Sequence, residues 1–268
     1  MHDVQTTFLP EALYHIDENM NWRKIALSYI NDTAITCKVT KLDYYNDILE
    51  VDLGNNFKGT ISLEEASIYP CYKNDLVSSS IYTLVGHTIR AKIVSIKPTI
   101  ELSRKQNMLQ ALPYISQCSH FDKTTITGFS KFSAFVDVGA GITGKISRAN
   151  FAPVIFDDIT DIGFKLYDTF PTDVLEFDPV NNRFELSRTS CLPHFTTVLS
   201  KNTVVTCKIF GSVSDLSGSY VCIDKNFAGI VDSVDGIEFR YGDEIVAVIA
   251  KDPDVSKKGV QLNFISFV

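Results

Sequence analysis

Hydrophobic and polar residues alternate in residues 131–147, KFSAFVDVGAGITGKIS, with the two-residue period of a β-strand. Three apolar residues alternate with Phe135 and Asp137: Ala134, Val136 and Val138. A glycine-containing turn separates this strand from a second one, so the pattern predicts a β-hairpin. If the valines face the core, Phe135 lies on the outer face, and a bulge at Ser133 would bring Phe132 to the same face.

The hairpin pattern occurs more than once in the chain. Residues 50–62 (EVDLGNNFKGTIS) match residues 135–147 (FVDVGAGITGKIS) without gaps at a spacing of 85, the difference between 50 and 135, and six positions are identical. A further step of 85 reaches residues 220–232 (YVCIDKNFAGIVD), a weaker copy. A closing strand also recurs, as IELSR at 100–104, FELSR at 184–188 and VQLNF at 260–264. This internal period predicts an array of three similar units.

The middle copy resembles the RNA-binding repeat of bacterial ribosomal protein S1. The matching residues are Phe132, Ala134, Phe135, Val136, Asp137 and Gly144. Ser133 replaces the glycine usual in that family, and Ser147 stands where a histidine is common. The resemblance implies a five-stranded OB-fold barrel. We therefore expect a mainly β protein with three tandem S1-type OB-fold barrels, a short N-terminal helical segment and helical linkers.

The repeat spacing predicts domain boundaries along the chain. We expect an N-terminal helical extension at 1–32, a degenerate first repeat at 33–105 and a linker at 106–121. The best-matching second repeat follows at 122–190, a second linker at 191–200 and a degenerate third repeat at 201–268. An apolar stripe within residues 19–30 predicts a helix capped by Asp17 or Asn19, which either packs on the first barrel or binds a partner. The first linker predicts a helix over residues 105–112, stopped by Pro113.

Only the middle copy combines two outward aromatic residues with a cation. At the position of Phe135 the other copies carry Glu50 and Tyr220. Aromatic rings can stack on the bases of single-stranded nucleic acids, and nearby cations can contact phosphates. The resemblance adds an acidic and a basic residue before the last strand, Asp178 and Arg183, and implies that Arg183 meets a phosphate or stacks on a base while Asp178 orients it. The predicted RNA-binding residues are Lys131, Phe132, Phe135, Lys145, Arg148, Asp178, Arg183, Tyr220 and Phe227. Lys257 and Lys258 form a further basic loop in the third copy.

Other interpretations of these residues stay open. Phe132 or Phe135 could pack beneath the aromatic and acidic segment of residues 151–167, which crosses between the third and fourth strands of its barrel. The cations Lys131, Lys145 and Arg148 could be ordinary solubilising surface charges.

Composition and charge narrow the classes of function. The net charge is −7, whereas a phosphate-binding surface usually carries excess Lys and Arg. No apolar run approaches the roughly 20 residues that span a bilayer, and no secretory signal is recognisable, so we expect a cytoplasmic protein that does not bind membranes. The cysteines lack C-x-x-C spacing and the histidines lack metal-ligand spacing. Because enzyme motifs are missing too, we expect no catalysis, no cofactor and no metal.

Two hypotheses follow. In the first, the chain is a non-catalytic protein that binds single-stranded RNA mainly through its middle repeat, with no preference for DNA, in association with the ribosome or translation. In the second, it is an acidic OB-repeat scaffold that docks on proteins of a ribosomal or RNA-processing assembly and has little affinity for RNA. Phe132, Phe135, Lys145 and Arg183 favour the first hypothesis, and the negative charge favours the second.

Overall fold

Three closed five-stranded β-barrels follow one another along the chain. The computed structural model describes residues 8–69, 81–154, 156–213, 217–254 and 259–268. Around each ring the strands follow the order first, second, third, fifth and fourth, and the fourth strand pairs with both the fifth and the first, which closes the barrel. This confirms the predicted fold, a mainly β chain of tandem OB-fold barrels.

The strands carry the alternation that the sequence predicts. Barrel 1 contains β1 Ala34–Asp43, β2 Ile48–Gly54, β3 Phe57–Ser62, β4 Thr88–Ser95 and β5 Glu101–Ser103. Barrel 2 contains β6 His120–Ser130, β7 Ser133–Asp137, β8 Thr143–Ser147, β9 Thr169–Asp178 and β10 Arg183–Ser187. Barrel 3 contains β11 Val204–Ser212, β12 Gly218–Ile223, β13 Phe227–Asp232, β14 Glu244–Ile249 and β15 Val260–Phe267. Each strand places alternate apolar side chains in a barrel core, as in β2, where Leu49, Val51 and Leu53 are buried.

The chain packs as two compact units that do not coincide with the repeats. One unit contains residues 1–125, 136–144 and 176–184, and the other contains residues 126–135, 145–175 and 185–268. The strands of barrel 2 are therefore divided between the units. The predicted domain boundaries stay a prediction.

The first helix is shorter and more exposed than the apolar stripe predicts. Helix α1 runs over Trp22–Ile30, and its N-cap is Asn21, whose side chain accepts a hydrogen bond from the Lys24 amide at 3.0 Å. Asp17 instead accepts from the Asn19 amide, so neither predicted capping residue caps the helix. The helix packs on β4, but Ile25 is its only buried side chain. Trp22, Leu27, Tyr29 and Ile30 are exposed.

The first linker helix does not stop at its proline. Helix α2 spans Arg104–Ile115 and contains Pro113. Proline removes one intrahelical hydrogen bond. Burial of Ala111 and Ile115 on either side stabilises the continued helix, and the Gln117 side chain donates to the Pro113 carbonyl at 2.8 Å. The predicted stop at Pro113 is thus wrong by about one turn.

Two short helices lie in the remaining connections. Helix α3, Arg148–Phe151, follows β8, and helix α4, Phe195–Val198, lies in the second linker. Short 3-10 turns occur at Glu11–Leu13, Leu63–Glu65, Tyr82–Leu84, Ile159–Ile162 and Thr189–Cys191. Among the residues described, no helix has the length and apolar character needed to cross a membrane.

Candidate nucleic-acid interface

In strand β7 the residues predicted to face the core are buried, but only one of the two residues predicted to face outward is even partly exposed. Ala134 and Val136 are fully buried, and Phe135 between them is half-buried. Asp137, at the end of the strand, is buried instead of outward. Its carboxylate accepts hydrogen bonds from the turn amides of Gly139 and Gly141, at 2.8 and 3.0 Å. Satisfying those amides requires the carboxylate to turn inward over the hairpin, which a two-residue alternation cannot reveal.

Phe132 is the most exposed aromatic residue of the predicted site. It lies in the turn between β6 and β7, one residue before the strand, and 58% of it is exposed. Its carbonyl accepts a hydrogen bond from the Arg148 amide at 2.8 Å, which holds the turn against the start of α3. The alternative in which Phe132 packs beneath residues 151–167 is therefore wrong for this ring.

Two cations lie at the ring of Phe132. The Lys131 ammonium is 5.6 Å and the Arg148 guanidinium carbon 5.4 Å from the ring centroid, within the range of cation–π contacts. Lys131 is exposed and Arg148 is half-buried, with its guanidinium donating to the Asp157 carbonyl at 3.2 Å. The turn thus combines an exposed aromatic ring with two positively charged side chains beside it.

Lys145 has a carboxylate partner. Its ammonium lies 3.1 Å from Glu185 on β10, and the two side chains are 43% and 45% exposed. A solvent-exposed pair of this kind is worth only about 0–1 kcal/mol. A phosphate can therefore compete for Lys145, but Glu185 reduces the local positive charge that the sequence predicts.

Asp178 and Arg183 do not form the predicted pair in which Asp178 orients the guanidinium. The Asp178 carboxylate accepts from the amides of Val180 and Asn181, at 2.8 and 3.2 Å, and from the Asn181 side chain at 2.6 Å. These bonds fold the β9–β10 turn and, led by the Asn181 side chain, lower the pKa of Asp178. The exposed Arg183 instead lies over the ring of Tyr69, with 5.5 Å between guanidinium carbon and centroid.

Tyr69 is a supporting residue that sequence reasoning missed. It comes from the first repeat and is 9% exposed. Its hydroxyl accepts from the Thr143 amide at 2.7 Å and donates to the Asn182 carbonyl at 2.9 Å, beside Arg183. Burial raises the pKa of the Tyr69 phenol, so it stays a neutral donor. No local sequence pattern predicts this role, because the hydrogen-bond partners of Tyr69 are 74 and 113 residues away in the chain.

In the third repeat the two predicted residues behave differently. Tyr220 on β12 is 48% exposed and pairs across the sheet with Gly211, which leaves the space beside the ring open. Phe227 begins β13 and is 6% exposed, packed in the core of barrel 3. The prediction of Phe227 as an RNA contact is therefore corrected, because its place in the strand alternation points it inward. Lys257 and Lys258 lie outside the described residues.

The first repeat presents a different surface at the corresponding place. Glu50 on β2 pairs with Lys41 on β1, at 3.1 Å, so its charge is partly compensated. Two tyrosines lie nearby in the β1–β2 loop, and Tyr45 is 96% exposed while Tyr44 is 43% exposed. Neither ring stands at the strand position that Phe135 occupies in the middle repeat.

A buried ionic cluster lies behind the hairpin turn of the middle repeat. Glu11 and Arg104 are 5% and 6% exposed, and their closest atoms, Nη2 and Oε2, are 2.8 Å apart. The Glu11 amide donates to Asp137 at 2.6 Å. Burial, with the Glu11 charge, raises the pKa of Asp137 to about 7, against the effect of its amide donors and of Arg104. The sequence signal for the cluster was the arginine that ends IELSR.

Cys37, Cys207 and Cys222 are free, buried thiols. Burial raises the pKa of Cys207 and of Cys222 to about 12, so both stay protonated and poorly nucleophilic at neutral pH. Cys71 lies outside the described residues.

Comparison with protein-family models and with curated protein sequences finds no match. Among solved structures, the chain is similar to a multidomain protein with nucleic acid binding domains from Streptococcus pneumoniae, with 14% identity, a TM-score of 0.30, and coverage of 87% of this chain and 73% of that one. It is also similar to GSP13 from Bacillus subtilis, with 22% identity, a TM-score of 0.26, and coverage of 28% of this chain and 58% of that one. Likeness at this level carries no functional conclusion, which must come from the residues of this chain.

Proposed function

We propose that the chain is a non-catalytic nucleic-acid-binding protein that holds single-stranded RNA, chiefly on its middle repeat. The observation that carries the proposal is the Phe132 turn, where a 58% exposed ring lies beside Lys131 and Arg148. An exposed aromatic ring is costly to hydrate and offers a stacking platform, and the cations beside it are placed to meet a backbone phosphate. Phe135 and Lys145 offer the same chemistry within the same compact unit, Arg183 is a further exposed cation of the middle repeat, and Tyr220 offers a second ring in the third repeat.

Charge sets the expected strength of binding. With a net charge of −7 and Lys145 paired to Glu185, few phosphates are neutralised. Binding then depends on stacking more than on counterion release, so its salt dependence is shallow. The proposed setting is the cytoplasm, at the ribosome or in translation.

The test is a titration of fluorescent RNA of about 12 nucleotides with the wild type, Phe132→Ala and Phe132→Ala/Phe135→Ala. Loss of one stacked base is worth about 1–3 kcal/mol, so we expect a loss of affinity between several-fold and about 100-fold for Phe132→Ala. Tyr45→Ala is the matched control, since that ring is 96% exposed but lies outside the proposed site. Circular dichroism verifies that each variant is folded.

Two results would overturn the proposal. One is the absence of RNA binding by folded protein at about 50 mM salt; the other is equal affinity of the wild type and the double variant. A DNA strand of the same sequence that binds more tightly than RNA would remove the RNA assignment and leave nucleic-acid binding in place.

A scaffold that docks on proteins of a ribosomal or RNA-processing assembly is the second candidate function. The pairing of Lys145 with Glu185 and of Lys41 with Glu50 favours it, because both pairs reduce attraction for phosphate. Under this hypothesis the wild type shows no measurable affinity for RNA at about 50 mM salt.

A further inference from the structure

Arg104 and Arg188 stand at the same position of two repeats, at the end of IELSR and of FELSR. Both arginines are buried, at 6% and 4% exposure. Buried arginines are rare unless their donors are satisfied, so the repetition of this feature calls for a shared cause. We refer to these two residues as the linking arginines.

Each linking arginine donates a hydrogen bond to an equivalent backbone carbonyl of its own repeat. Arg104 Nη1 donates to the Ala66 carbonyl at 3.0 Å, and Arg188 Nη1 donates to the Phe151 carbonyl at 2.9 Å. Ala66 and Phe151 correspond in the repeat, because both close the short helical turn that follows the third strand of a barrel. One end of each guanidinium is therefore fixed by an equivalent bond.

Each guanidinium also contacts the hairpin turn of the following repeat. Arg104 Nη2 lies so close to Gly141 that a Cβ there would be 2.1 Å from it. Arg188 Nη1 donates to the Lys225 carbonyl at 3.2 Å, and Arg188 Nη2 donates to the Asn226 side-chain oxygen. Gly141 and Asn226 correspond at the 85-residue spacing. Both contacts lie within a single compact unit, the first in one unit and the second in the other.

The two arginines differ in how their charge is stabilised. Arg104 faces the Glu11 carboxylate, whereas Arg188 lies 4.6 Å from the ring of Phe164 and 5.5 Å from that of Phe170. Both arginines contact the hairpin turn of the following repeat although their charges are stabilised in unrelated ways. What the two residues share is therefore the bridge from one repeat to the next. In the third repeat Phe264 stands at this position.

We propose that Arg104 and Arg188 couple consecutive repeats: each joins the end of its own barrel to the β-hairpin turn of the next one, so that the joined elements open together. The guanidinium suits this role, since its several N–H donors allow one side chain to contact two parts of the chain at once. This inference does not depend on RNA binding.

Native-state hydrogen exchange on Arg188→Met tests the coupling. The probes are the amides of β12 and β13 in the third repeat and of β8 and β10 in the second, followed at increasing sub-denaturing urea. In the wild type we expect the two sets to open over the same range of urea. In Arg188→Met we expect the protection of the third-repeat amides to fall by about tenfold or more and to separate from that of the second repeat. Arg240→Met is the control, because the Arg240 side chain is 77% exposed.

Equal loss of protection in both repeats would mean that Arg188 stabilises the structure in general, and loss confined to the amides next to residue 188 would mean a local packing role. Either result would overturn the proposal. A double-mutant cycle with Asn226→Ala gives a second measurement. We expect Asn226→Ala to lower protection much less in Arg188→Met than in the wild type, and full additivity would contradict the coupling. If Arg188→Met does not fold, Arg188→Lys replaces it in both measurements, since it keeps the charge but loses the second donor arm.

Discussion

Replacement of Glu11 by alanine should destabilise the N-terminal compact unit strongly. The Glu11 carboxylate receives Arg104 Nε at 3.0 Å on each oxygen, Arg104 Nη2 at 2.8 Å, and the Arg90 amide at 3.1 Å. Both members of the ion pair are at least nine-tenths buried. Removal of the carboxylate takes from the buried Arg104 guanidinium the counter-charge to which it is hydrogen-bonded.

The size of the expected loss in unfolding free energy follows from the burial of the ion pair. Breaking a buried pair by removing one partner costs about 3–5 kcal/mol, because the remaining charge is neither solvated nor compensated. The pair formed by Lys41 and Glu50 has a similar length, 3.1 Å, but its side chains are 60% and 43% exposed. Solvent screens such a pair, so Glu50→Ala should change the free energy of unfolding by no more than about 1 kcal/mol.

Urea unfolding followed by tryptophan fluorescence measures both variants. The chain contains a single tryptophan, Trp22, which lies in α1 within the same compact unit, with its ring 5.3 Å from that of Phe57. We expect the transition of Glu11→Ala at much lower urea than that of Glu50→Ala, at similar m-values. Equal midpoints for the two variants would refute the reasoning, since burial would then have no effect on the energy of the pair.

Three further substitutions have defined outcomes. Burial raises the pKa of Asp137 from an ordinary 3.8 to about 7 in the folded chain. Between about pH 4 and 7 the folded chain therefore binds a proton at Asp137 that the unfolded chain has lost, and stability falls as pH rises through that range. Urea midpoints of Asp137→Asn at pH 5 and pH 8 should therefore differ less than those of the wild type; an equal difference would contradict this. Gly59→Ala should lower thermal stability by about 1–3 kcal/mol, because its Cβ would lie 2.5 Å from Leu102 Cδ1 and 2.9 Å from the Ile100 carbonyl; an unchanged melting temperature would show that β3 shifts freely. Asn21→Ala should cost about 1 kcal/mol by removing the cap of α1, seen in the fluorescence transition, with Asn21→Ser close to the wild type.

The sequence predicts the barrels well because the core imposes a repeated pattern. Inward positions such as Val51, Val136 and Val221 are buried in all three copies. Their two-residue alternation and 85-residue spacing are properties of one chain segment at a time, so they can be recognised without the structure.

The surface is predicted less well because its residues are placed by distant partners. Asp137 has the outward phase of its strand but turns inward to satisfy the amides of its own hairpin and of Glu11. Arg183 is placed by Tyr69, and the Phe227 ring is buried by barrel packing. Contacts of this kind join residues far apart in the chain, which single-sequence patterns do not encode.

The contacts of the middle repeat also determine how the chain can be divided for experiment. The turn that carries Asp137 receives the Glu11 amide, and the backbone at Thr143 and Asn182 binds the Tyr69 hydroxyl. A recombinant fragment covering only residues 122–190 would lack Glu11 and Tyr69, leaving their partners exposed to water. Any truncation intended to keep the middle repeat in its native surroundings should therefore begin before Glu11.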